Sequence, residues 1–189
     1  MCTIWSRWMK EEIKSIQQKM PVTSRGATEL GDITPHNIKQ LKKLNAVVFP
    51  ITYTDKFYKD VLDLGELAKL AYFNDVVVGA VCCRVETEGD QKKIYIMTLG
   101  VLAPYRQLGI GRLMLEHVIQ FAMDSGNIDN IYLHVQVSND DALEFYQKFG
   151  FQVVDTKEQY YKRIDPPHAY VLQKDLKGPL GLPLDSAGL

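Results

Sequence analysis

The chain has 189 residues, enough for one globular domain with a sizeable core. Apolar residues make up 46% of it and charged residues 24%, and the net charge of −1 excludes a general electrostatic attraction for nucleic acid or an anionic membrane. Its three cysteines, Cys2, Cys82 and Cys83, are too few and too badly placed for a disulfide framework or a metal site. We therefore expect a reducing compartment, the cytosol or the nucleus.

The sequence predicts neither a signal peptide nor a membrane span. The longest apolar run, residues 76–83, is far shorter than the ~20 residues needed to cross a bilayer. Residues 1–20 include several charged side chains and so contain no apolar signal-peptide core. We therefore expect no membrane partner.

Residues 1–26 are predicted to form an appendage ahead of the main domain. Apolar residues recur there near helical spacing, which predicts an amphipathic helix formed by Trp5, Trp8, Met9, Ile13, Ile16 and Met20. Pro21 ends this helix, and two interpretations stay open: a poorly ordered extension, or a helix that docks on a partner or a membrane surface. The main domain is predicted over residues 27–176, and the turn-rich residues 177–189 are predicted to be a disordered tail.

Two helix signals open the main domain. The pair Thr34-Pro35 combines a favoured N-cap residue with proline at the first helical position. The apolar stripe of the helix that follows consists of Ile38, Leu41, Leu44 and Val48. Pro50 stops this helix, and a second short helix is predicted over residues 57–64.

Strand signals come next. Residues 67–72 and 76–85 predict a hairpin that turns at Asn74-Asp75, and a polar turn over residues 87–91 leads to a strand over residues 93–99. A helix is predicted over residues 111–124, and its inward side chains are Leu115, Val118, Ile119 and Ala122.

The last elements alternate strand and helix. A strand is predicted over residues 130–137, followed by a helix that Asn139 caps and Gly150 ends. Residues 151–154 and 169–172 are the last predicted strands. An antiparallel meander followed by strand–helix–strand–helix–strand predicts an α/β fold with a mixed sheet.

A glycine-bearing loop joins the strand at residues 93–99 to the next helix. Glycines let the backbone approach a phosphate closely, and the free N–H groups and positive dipole end of a helix attract it. A P-loop is excluded because no Lys-Ser/Thr pair follows Gly111. The dinucleotide fingerprint is excluded because Arg106 stands where its first glycine would be.

The pattern Arg106-x-x-Gly109-x-Gly111 resembles the pyrophosphate loop of the Gcn5-related N-acetyltransferase (GNAT) superfamily, which binds acetyl-coenzyme A. Residues 139–151, a helix with an aromatic pair followed by Lys-x-Gly-Phe, resemble the segment that lies beside the pantetheine in that superfamily. The resemblance implies the GNAT fold, a mixed, mostly antiparallel sheet flanked by helices in three α/β/α layers, with acetyl-CoA as co-substrate and no metal. The acetyl-CoA contacts that it implies are Leu99, Gly100, Val101, Arg106, Gln107, Leu108, Gly109, Ile110, Gly111, Arg112, Asn139, Asp140, Ala142, Tyr146 and Lys148.

Four further segments, residues 49–53, 95–99, 131–135 and 160–164, resemble the NatE-type N-alpha-acetyltransferases, and the likeness spans about residues 28–175. It implies that Tyr95 and His134 are the catalytic pair. The residues that it implies for holding a peptide N-terminus are Phe49, Pro50, Ile51, Tyr53, Met97, Tyr160 and Tyr161. Ile51 stands where the family pattern has valine, which puts only fine selectivity in doubt.

Strand alternation independently supports the Tyr95–His134 pair. Tyr95, Met97 and Leu99 are predicted to share one face of their strand, as are Tyr132 and His134 on the later strand. If the two strands are neighbours, Tyr95 and His134 point into a common cleft.

Acetyl transfer to an α-amine requires only modest base catalysis from such a pair. An α-amino group with a pKa of 7.7–8.0 is already roughly 10–20% neutral at pH 7, whereas lysine is about 0.04% neutral. A histidine and a tyrosine acting through an ordered water can therefore supply the remaining base catalysis. A backbone N–H near Leu99, exposed by a strand bulge, could stabilise the oxyanion, while Cys82 and Cys83 are predicted to be core residues.

These features predict an N-terminal protein acetyltransferase that works through a ternary complex with acetyl-CoA. Its implied substrates keep the initiator methionine before an apolar or small residue, with slower lysine acetylation beside them. The alternatives are a lysine or small-amine acetyltransferase and an inactive CoA-binding docking subunit. The resemblance also implies association with the NatA scaffold and catalytic subunits and thereby the ribosome, and no direct nucleic-acid partner is expected.

Overall fold

The computed structural model describes residues 26–162 and 164–177, and the predictions for the N-terminal appendage and for the tail beyond residue 177 lie outside them. This part of the chain contains seven strands and four α-helices. In chain order they are β1 (Thr28–Asp32), α1 (Ile38–Val48), α2 (Asp55–Val61), β2 (Ala68–Phe73), β3 (Val76–Glu88), β4 (Gln91–Val101), α3 (Ile110–Ser125), β5 (Asn130–Gln136), α4 (Asp140–Gln147), β6 (Gln152–Lys157) and β7 (Ala169–Asp175). Single 3-10 turns at Gly65–Leu67 and Ala103–Tyr105 precede β2 and α3.

The seven strands form one sheet in the order β1-β2-β3-β4-β5-β7-β6. Among the described strands only β4 and β5 pair in parallel, because α3 connects them as a crossover helix. Side chains of α1 and α2 pack on one face of the sheet, and those of α3 and α4 pack on the other. The predicted mixed, mostly antiparallel sheet in three α/β/α layers is confirmed.

The predicted inward positions form the two cores. Leu41 and Leu44 of α1 are buried on one face, and the four predicted side chains of α3 are buried on the other. Cys82 and Cys83 are fully buried in β3, and burial raises the pKa of the Cys82 thiol to about 12. The interpretation of both cysteines as core residues agrees with this burial, since a buried thiol is a poor source of thiolate.

Helix α1 begins at Ile38 rather than at the predicted Thr34-Pro35. The side chain of Asn37 accepts the backbone N–H of Thr34 at 2.7 Å, so residues 34–37 form a separate turn ahead of the helix. The hairpin prediction is confirmed, because Asn74 and Asp75 both have positive φ, as a two-residue hairpin turn requires. The other predicted boundaries differ from the structure by a few residues, as is usual at element ends.

Strand β4 contains a bulge close to the one expected near Leu99, although periodicity did not give its position. Ile96 pairs with Cys83 and Thr98 pairs with the adjacent Cys82, so Met97 is an extra residue without an opposite partner on β3. An extra residue reverses the faces on which later side chains lie.

The prediction that Tyr95, Met97 and Leu99 share a face is therefore wrong for Leu99. Met97 packs in the core with α1 and α2, whereas Leu99 packs in the core with α3 and α4. One strand thus presents side chains to both layers of helices within three residues.

The core assignment can be tested on α1. Leu41→Ala is expected to lower the free energy of unfolding by about 2–5 kcal/mol, because it removes a fully buried side chain and leaves a cavity. Val47→Ala on the same helix, where the side chain is 51% exposed, should change it by less than about 0.5 kcal/mol. Urea unfolding of both variants measures the difference, and equal losses would contradict the assignment.

Candidate active site

The site is organised around the place where β4 and β5 separate. The two strands pair only over Lys93–Tyr95 and Asn130–Tyr132, and beyond these residues β4 continues along β3 while β5 continues along β7. The resulting cleft opens just past Tyr95 and is bordered by the ends of both strands. Backbone groups that a continuous ladder would occupy are therefore available there to a ligand.

The structure brings Tyr95 and His134 together in this cleft. Their ring centroids are 5.5 Å apart and the ring planes are nearly perpendicular, at 82°. Both side chains are half-buried. The sequence could predict their shared cleft but not this distance, which follows from the short parallel ladder between their strands.

A loop between β6 and β7 closes over this pair. The ring of Tyr160 stacks on His134 at 4.3 Å with an interplanar angle of 10°, and its hydroxyl lies 3.2 Å from the hydroxyl of Tyr95. Tyr161 packs edge-on against Tyr160 at 4.9 Å, and its backbone N–H donates to the carbonyl of Pro167. Two of the predicted peptide-binding residues thus form a lid on the Tyr95–His134 pair.

Burial shifts the pKa values of His134 and Tyr95 in opposite directions. It lowers the pKa of His134 below its ordinary value, and the charge of Lys157 lowers it further against the opposing effects of Glu86 and Asp155. Burial and the hydrogen bond to Tyr160 raise the pKa of Tyr95. At neutral pH His134 is therefore neutral and able to accept a proton, while Tyr95 keeps its hydroxyl hydrogen.

The His134 ring nitrogen Nδ1 is buried and has no hydrogen-bond partner among the described residues. A buried polar atom of this kind ordinarily bonds to water or to a ligand. The atom is thus consistent with an ordered water in the cleft.

The loop between α1 and α2 carries a second group of aromatic side chains, and its Tyr53 packs against the same core as Met97. The rings of Phe49, Tyr53 and Phe57 follow one another, with centroids 5.9 Å and 4.6 Å apart. Burial raises the pKa of Tyr53, and the nearby Tyr161 raises it further. Pro50 and Ile51 are exposed at the tip of this loop.

Gly100 was predicted as an acetyl-CoA contact, and the structure shows a second reason for glycine at this position. A Cβ built there would lie 2.6 Å from Cγ1 of Val48 and 2.9 Å from Cζ of Phe49. The absence of a side chain therefore lets the loop after α1 pack directly on β4. Val101, which follows, packs with Leu99 on the α3 side.

The glycine loop, residues 106–111, has the backbone of an anion site. Gln107 and Gly109 have positive φ, and Gly109 is the N-cap of α3 without a side-chain hydrogen bond to the first turn. The first N–H groups of α3 are therefore free of intrahelical partners and of a side-chain cap. This geometry fits the diphosphate of acetyl-CoA.

The side chains of the glycine loop lie partly in solvent and partly in the core. Arg106 is exposed and its Nε donates to the carbonyl of Val101 at 3.2 Å, while Arg112 pairs with Glu116. Leu108 and Ile110 face the core. An added Cβ at Gly111 would be 3.5 Å from Phe145, so this glycine is not required by packing.

The second predicted acetyl-CoA segment lies on α4. Asn139 caps the helix by accepting the N–H of Ala142 at 3.2 Å. Tyr146 is buried in the core against Phe151, whereas Lys148 is exposed and pairs with Glu144. Asp140 is exposed in the first turn. Contact of these residues with acetyl-CoA stays a prediction.

Three polar side chains surround Tyr95, and sequence reasoning missed two of them, Arg84 and Glu86. Tyr132 stacks on the Tyr95 ring at 4.9 Å, the guanidinium of Arg84 lies 5.2 Å from its centroid, and Glu86 bonds to both of them. Alternation placed Tyr132 beside His134, but only the pairing register of β3 could have indicated Arg84 and Glu86.

Comparison with known proteins settles the family. Residues 38–151, more than half of the chain, match the model of the Acetyltransferase (GNAT) family. The chain belongs to this family. It is 65% identical over 159 residues to N-alpha-acetyltransferase 50 of Danio rerio, covering 84% of this chain and 95% of that protein. It is 66% identical over 154 residues to the probable N-acetyltransferase san of Drosophila melanogaster, covering 82% of this chain and 84% of that protein.

A solved structure agrees with these relatives. Arabidopsis thaliana Naa50 in complex with the bisubstrate analogue CoA-Ac-MVNAL has a TM-score of 0.74 and 48% identity, covering 78% of this chain and 98% of that chain. The predicted GNAT fold and the resemblance to NatE-type enzymes are confirmed. The chain is an acetyl-CoA-dependent N-terminal acetyltransferase.

Within residues 26–162 and 164–177, no group of three or more His, Cys, Asp or Glu is placed to hold a metal ion. No helix in this part of the chain is long and apolar enough to cross a membrane.

The packing of the α1–α2 loop on β4 can be tested at Gly100. Gly100→Ala is expected to lower the free energy of unfolding by about 1–3 kcal/mol, because Val48 and Phe49 must move away from the new methyl group. Gly111→Ala is the matched control, since its Cβ makes only an ordinary contact with Phe145. Thermal or urea unfolding distinguishes them, and an unaffected Gly100→Ala would show that the loop does not pack on β4.

Proposed function

We propose that the enzyme acetylates protein N-termini that keep the initiator methionine before an apolar or small residue. The observation that supports this is the Tyr95–His134 pair under the ring of Tyr160, with Met97 and Tyr53 of the same face packed against the core of α1 and α2. Such an apolar wall with a flexible thioether suits a methionine side chain. The analogue bound to Arabidopsis Naa50 begins Met-Val, a sequence of this class.

The proposed peptide site consists of the two loops and the strand between them. Aromatic hydroxyls there can hydrogen-bond a peptide backbone while the rings enclose its first side chain. The residues assigned to it are Phe49, Pro50, Ile51, Tyr53, Met97, Tyr160 and Tyr161. Because the Tyr160 ring covers His134 and the Tyr160 hydroxyl lies beside that of Tyr95, the cleft favours a chain end over a lysine in the middle of a folded surface.

The proposed mechanism uses Tyr95 and His134 as a water-mediated general base. Acetyl-CoA supplies the thioester: a C–N bond forms to the α-amine and the C–S bond breaks. The amine loses one proton, and coenzyme A leaves as a thiolate that takes up a proton to become the free thiol. His134, neutral because burial lowers its pKa, accepts the proton of the amine through an ordered water. Tyr95, protonated because burial raises its pKa, orients the water by hydrogen bonding.

We assign oxyanion stabilisation to a backbone N–H of β4 near Leu99. The bulge at Met97 interrupts the ladder to β3, and the strand has already left β5 at this point. Backbone donors in such a position point into the cleft and do not need to reorganise during the reaction. The diphosphate is assigned to the glycine loop and the first turn of α3.

Association and location are proposed from the family resemblance. The NatA scaffold and catalytic subunits, and through them the ribosome, are the proposed partners, which would present nascent chains to the enzyme. The cytosol is the proposed location, with the nucleus as a second one. Lysine acetylation is proposed as a slower, secondary activity.

The substrate proposal is tested with two peptides of one sequence that both contain an internal lysine. One begins Met-Leu with a free α-amine and the other is N-terminally blocked. We expect turnover on the free peptide to be at least about 100-fold faster at pH 7, because the α-amine is neutral far more often than lysine. Preference for the blocked peptide would favour a lysine acetyltransferase. Tight CoA binding without turnover would favour a docking subunit.

The base assignment is tested with His134→Ala. This variant is expected to lower kcat at least about ten-fold, because the proton loses its acceptor. Its affinity for acetyl-CoA should be nearly unchanged, since the glycine loop is a separate element. His36→Ala, which alters an exposed histidine in the turn before α1, is the control. Steady-state kinetics with the Met-Leu peptide measure both, and near-normal turnover by His134→Ala would exclude it as the base.

A further inference from the structure

Tyr95 lies in the middle of a row of three side chains that crosses the sheet. In the pairing register, Arg84 of β3 is opposite Tyr95 of β4, and Tyr95 is opposite Tyr132 of β5. The guanidinium of Arg84 lies 5.2 Å from the centroid of the Tyr95 ring, and the Tyr132 ring stacks on it at 4.9 Å with an interplanar angle of 25°. Since their strands flank β4, the two side chains restrict Tyr95 from opposite sides.

Glu86 connects the two ends of this row. Its Oε1 accepts from Nε of Arg84 at 2.7 Å and lies 2.5 Å from Nη2, and its Oε2 accepts from the hydroxyl of Tyr132. Both carboxylate oxygens are therefore used, one on each neighbour of Tyr95. Burial raises the pKa of Glu86, but the bonds from Tyr132 and Arg84 outweigh it and hold the pKa below its ordinary value, so the carboxylate is charged at neutral pH.

We propose that Glu86 is a positioning residue for acetyl transfer, which holds Arg84 and Tyr132 against Tyr95 and thereby fixes the Tyr95 hydroxyl beside His134. This inference rests on the proposed roles of Tyr95 and His134. It assigns to Glu86 no contact with either substrate. Glu86 acts indirectly, by orienting the Tyr95 ring and by the effect of its own negative charge on His134.

The charge of Glu86 reaches His134 across an open groove. The groove has a volume of about 750 Å³, and Glu86, Tyr132 and His134 are among its lining residues. The charged and titratable groups that face His134 from the elements packed around it are Glu86 of β3, Tyr95 of β4, Tyr132 of β5, Asp155 and Lys157 of β6, and Tyr160 of the lid. Glu88 of β3 and Lys93 of β4 line the same groove and pair with each other. Glu86 and Asp155 favour the protonated imidazole, and Lys157 opposes it.

A carboxylate that only stabilised the fold would leave the pH profile unchanged. Removing the negative charge of Glu86 lowers the pKa of His134, because the imidazolium loses a favourable neighbour. His134 then stays unprotonated, and able to act as a base, down to a lower pH. The acid limb of the rate profile should move in that direction.

The experiment compares Glu86→Gln with the wild-type chain on the Met-Leu peptide. We expect kcat to fall about three- to ten-fold, because Tyr95 is less well oriented, while the KM for acetyl-CoA stays within about two-fold. The acid limb of kcat/KM should move to lower pH by about 0.3–0.5 unit, the effect of one charge that acts on His134 across a solvated groove.

Glu88→Gln is the matched control, because Glu88 lies two residues along β3 and makes the same change of charge. It pairs with Lys93, is 80% exposed and does not bond to Arg84 or Tyr132. We expect it to leave kcat and the acid limb unchanged. If Glu86→Gln behaves like Glu88→Gln in both measurements, Glu86 does not position Tyr95 and the proposal is wrong.

Tyr132→Phe provides a second route if Glu86→Gln does not fold. It deletes only the hydroxyl that donates to Glu86 and keeps the ring on Tyr95. It should lower kcat in the same direction, and in the double variant the two losses should not add. Additive losses, or no loss in Tyr132→Phe, would overturn the proposal. Failure of the proposed function is distinguishable, because then Tyr95→Phe and His134→Ala would also retain normal turnover.

Discussion

The site depends on the short parallel pairing between β4 and β5. Strands joined by a crossover helix must run parallel, and here the ladder covers only three residues on each strand before the strands separate. A longer ladder would close the cleft and occupy the backbone groups that border it. A shorter one would not hold Tyr95 and Tyr132 side by side, and His134 would lose its place beside Tyr95. The separation point therefore determines both where the cleft lies and which side chains stand at its entrance.

The bulge at Met97 turns one strand toward both layers of helices. Before it, Tyr95 lies against Tyr160 of the lid; after it, Leu99 and Val101 pack on the side of α3, whose N-terminus fits a diphosphate. In the proposed function the peptide and acetyl-CoA would therefore approach from different layers, and the acetyl group would pass between them. A regular strand would have placed Tyr95 and Leu99 on the same face, as alternation predicts. The irregularity thus has a geometric role in bringing the ligands to one point.

The sequence predicted what depends on local pattern. The order of elements from α1 onward, the glycine loop, the capped helix at Asn139 and the inward residues of α3 are encoded within short windows, and the structure agrees with them. Strand β1 at the edge of the sheet was not predicted. The bulge, the fit of Phe49 against Gly100 and the bonds of Glu86 depend on register between strands or on loops that meet only after folding. Periodicity contains no information on register, so alternation assigned Leu99 to the wrong face and left Arg84 and Glu86 unnoticed.

The electrostatics of the cleft match the chemistry of an α-amine. Burial of His134 makes it a weaker base than a free histidine. So weak a base would be poorly suited to a lysine substrate, because a lysine amine is almost wholly protonated at neutral pH. An α-amine is already partly neutral, so a weak base that is itself unprotonated at neutral pH is sufficient. The same burial keeps the proton on Tyr95, which then acts as a fixed donor. Glu86 acts on both residues: it orients the Tyr95 ring through Tyr132 and Arg84, and its charge raises the pKa of His134. A single carboxylate that contacts neither substrate therefore influences both the geometry and the titration of the Tyr95–His134 pair.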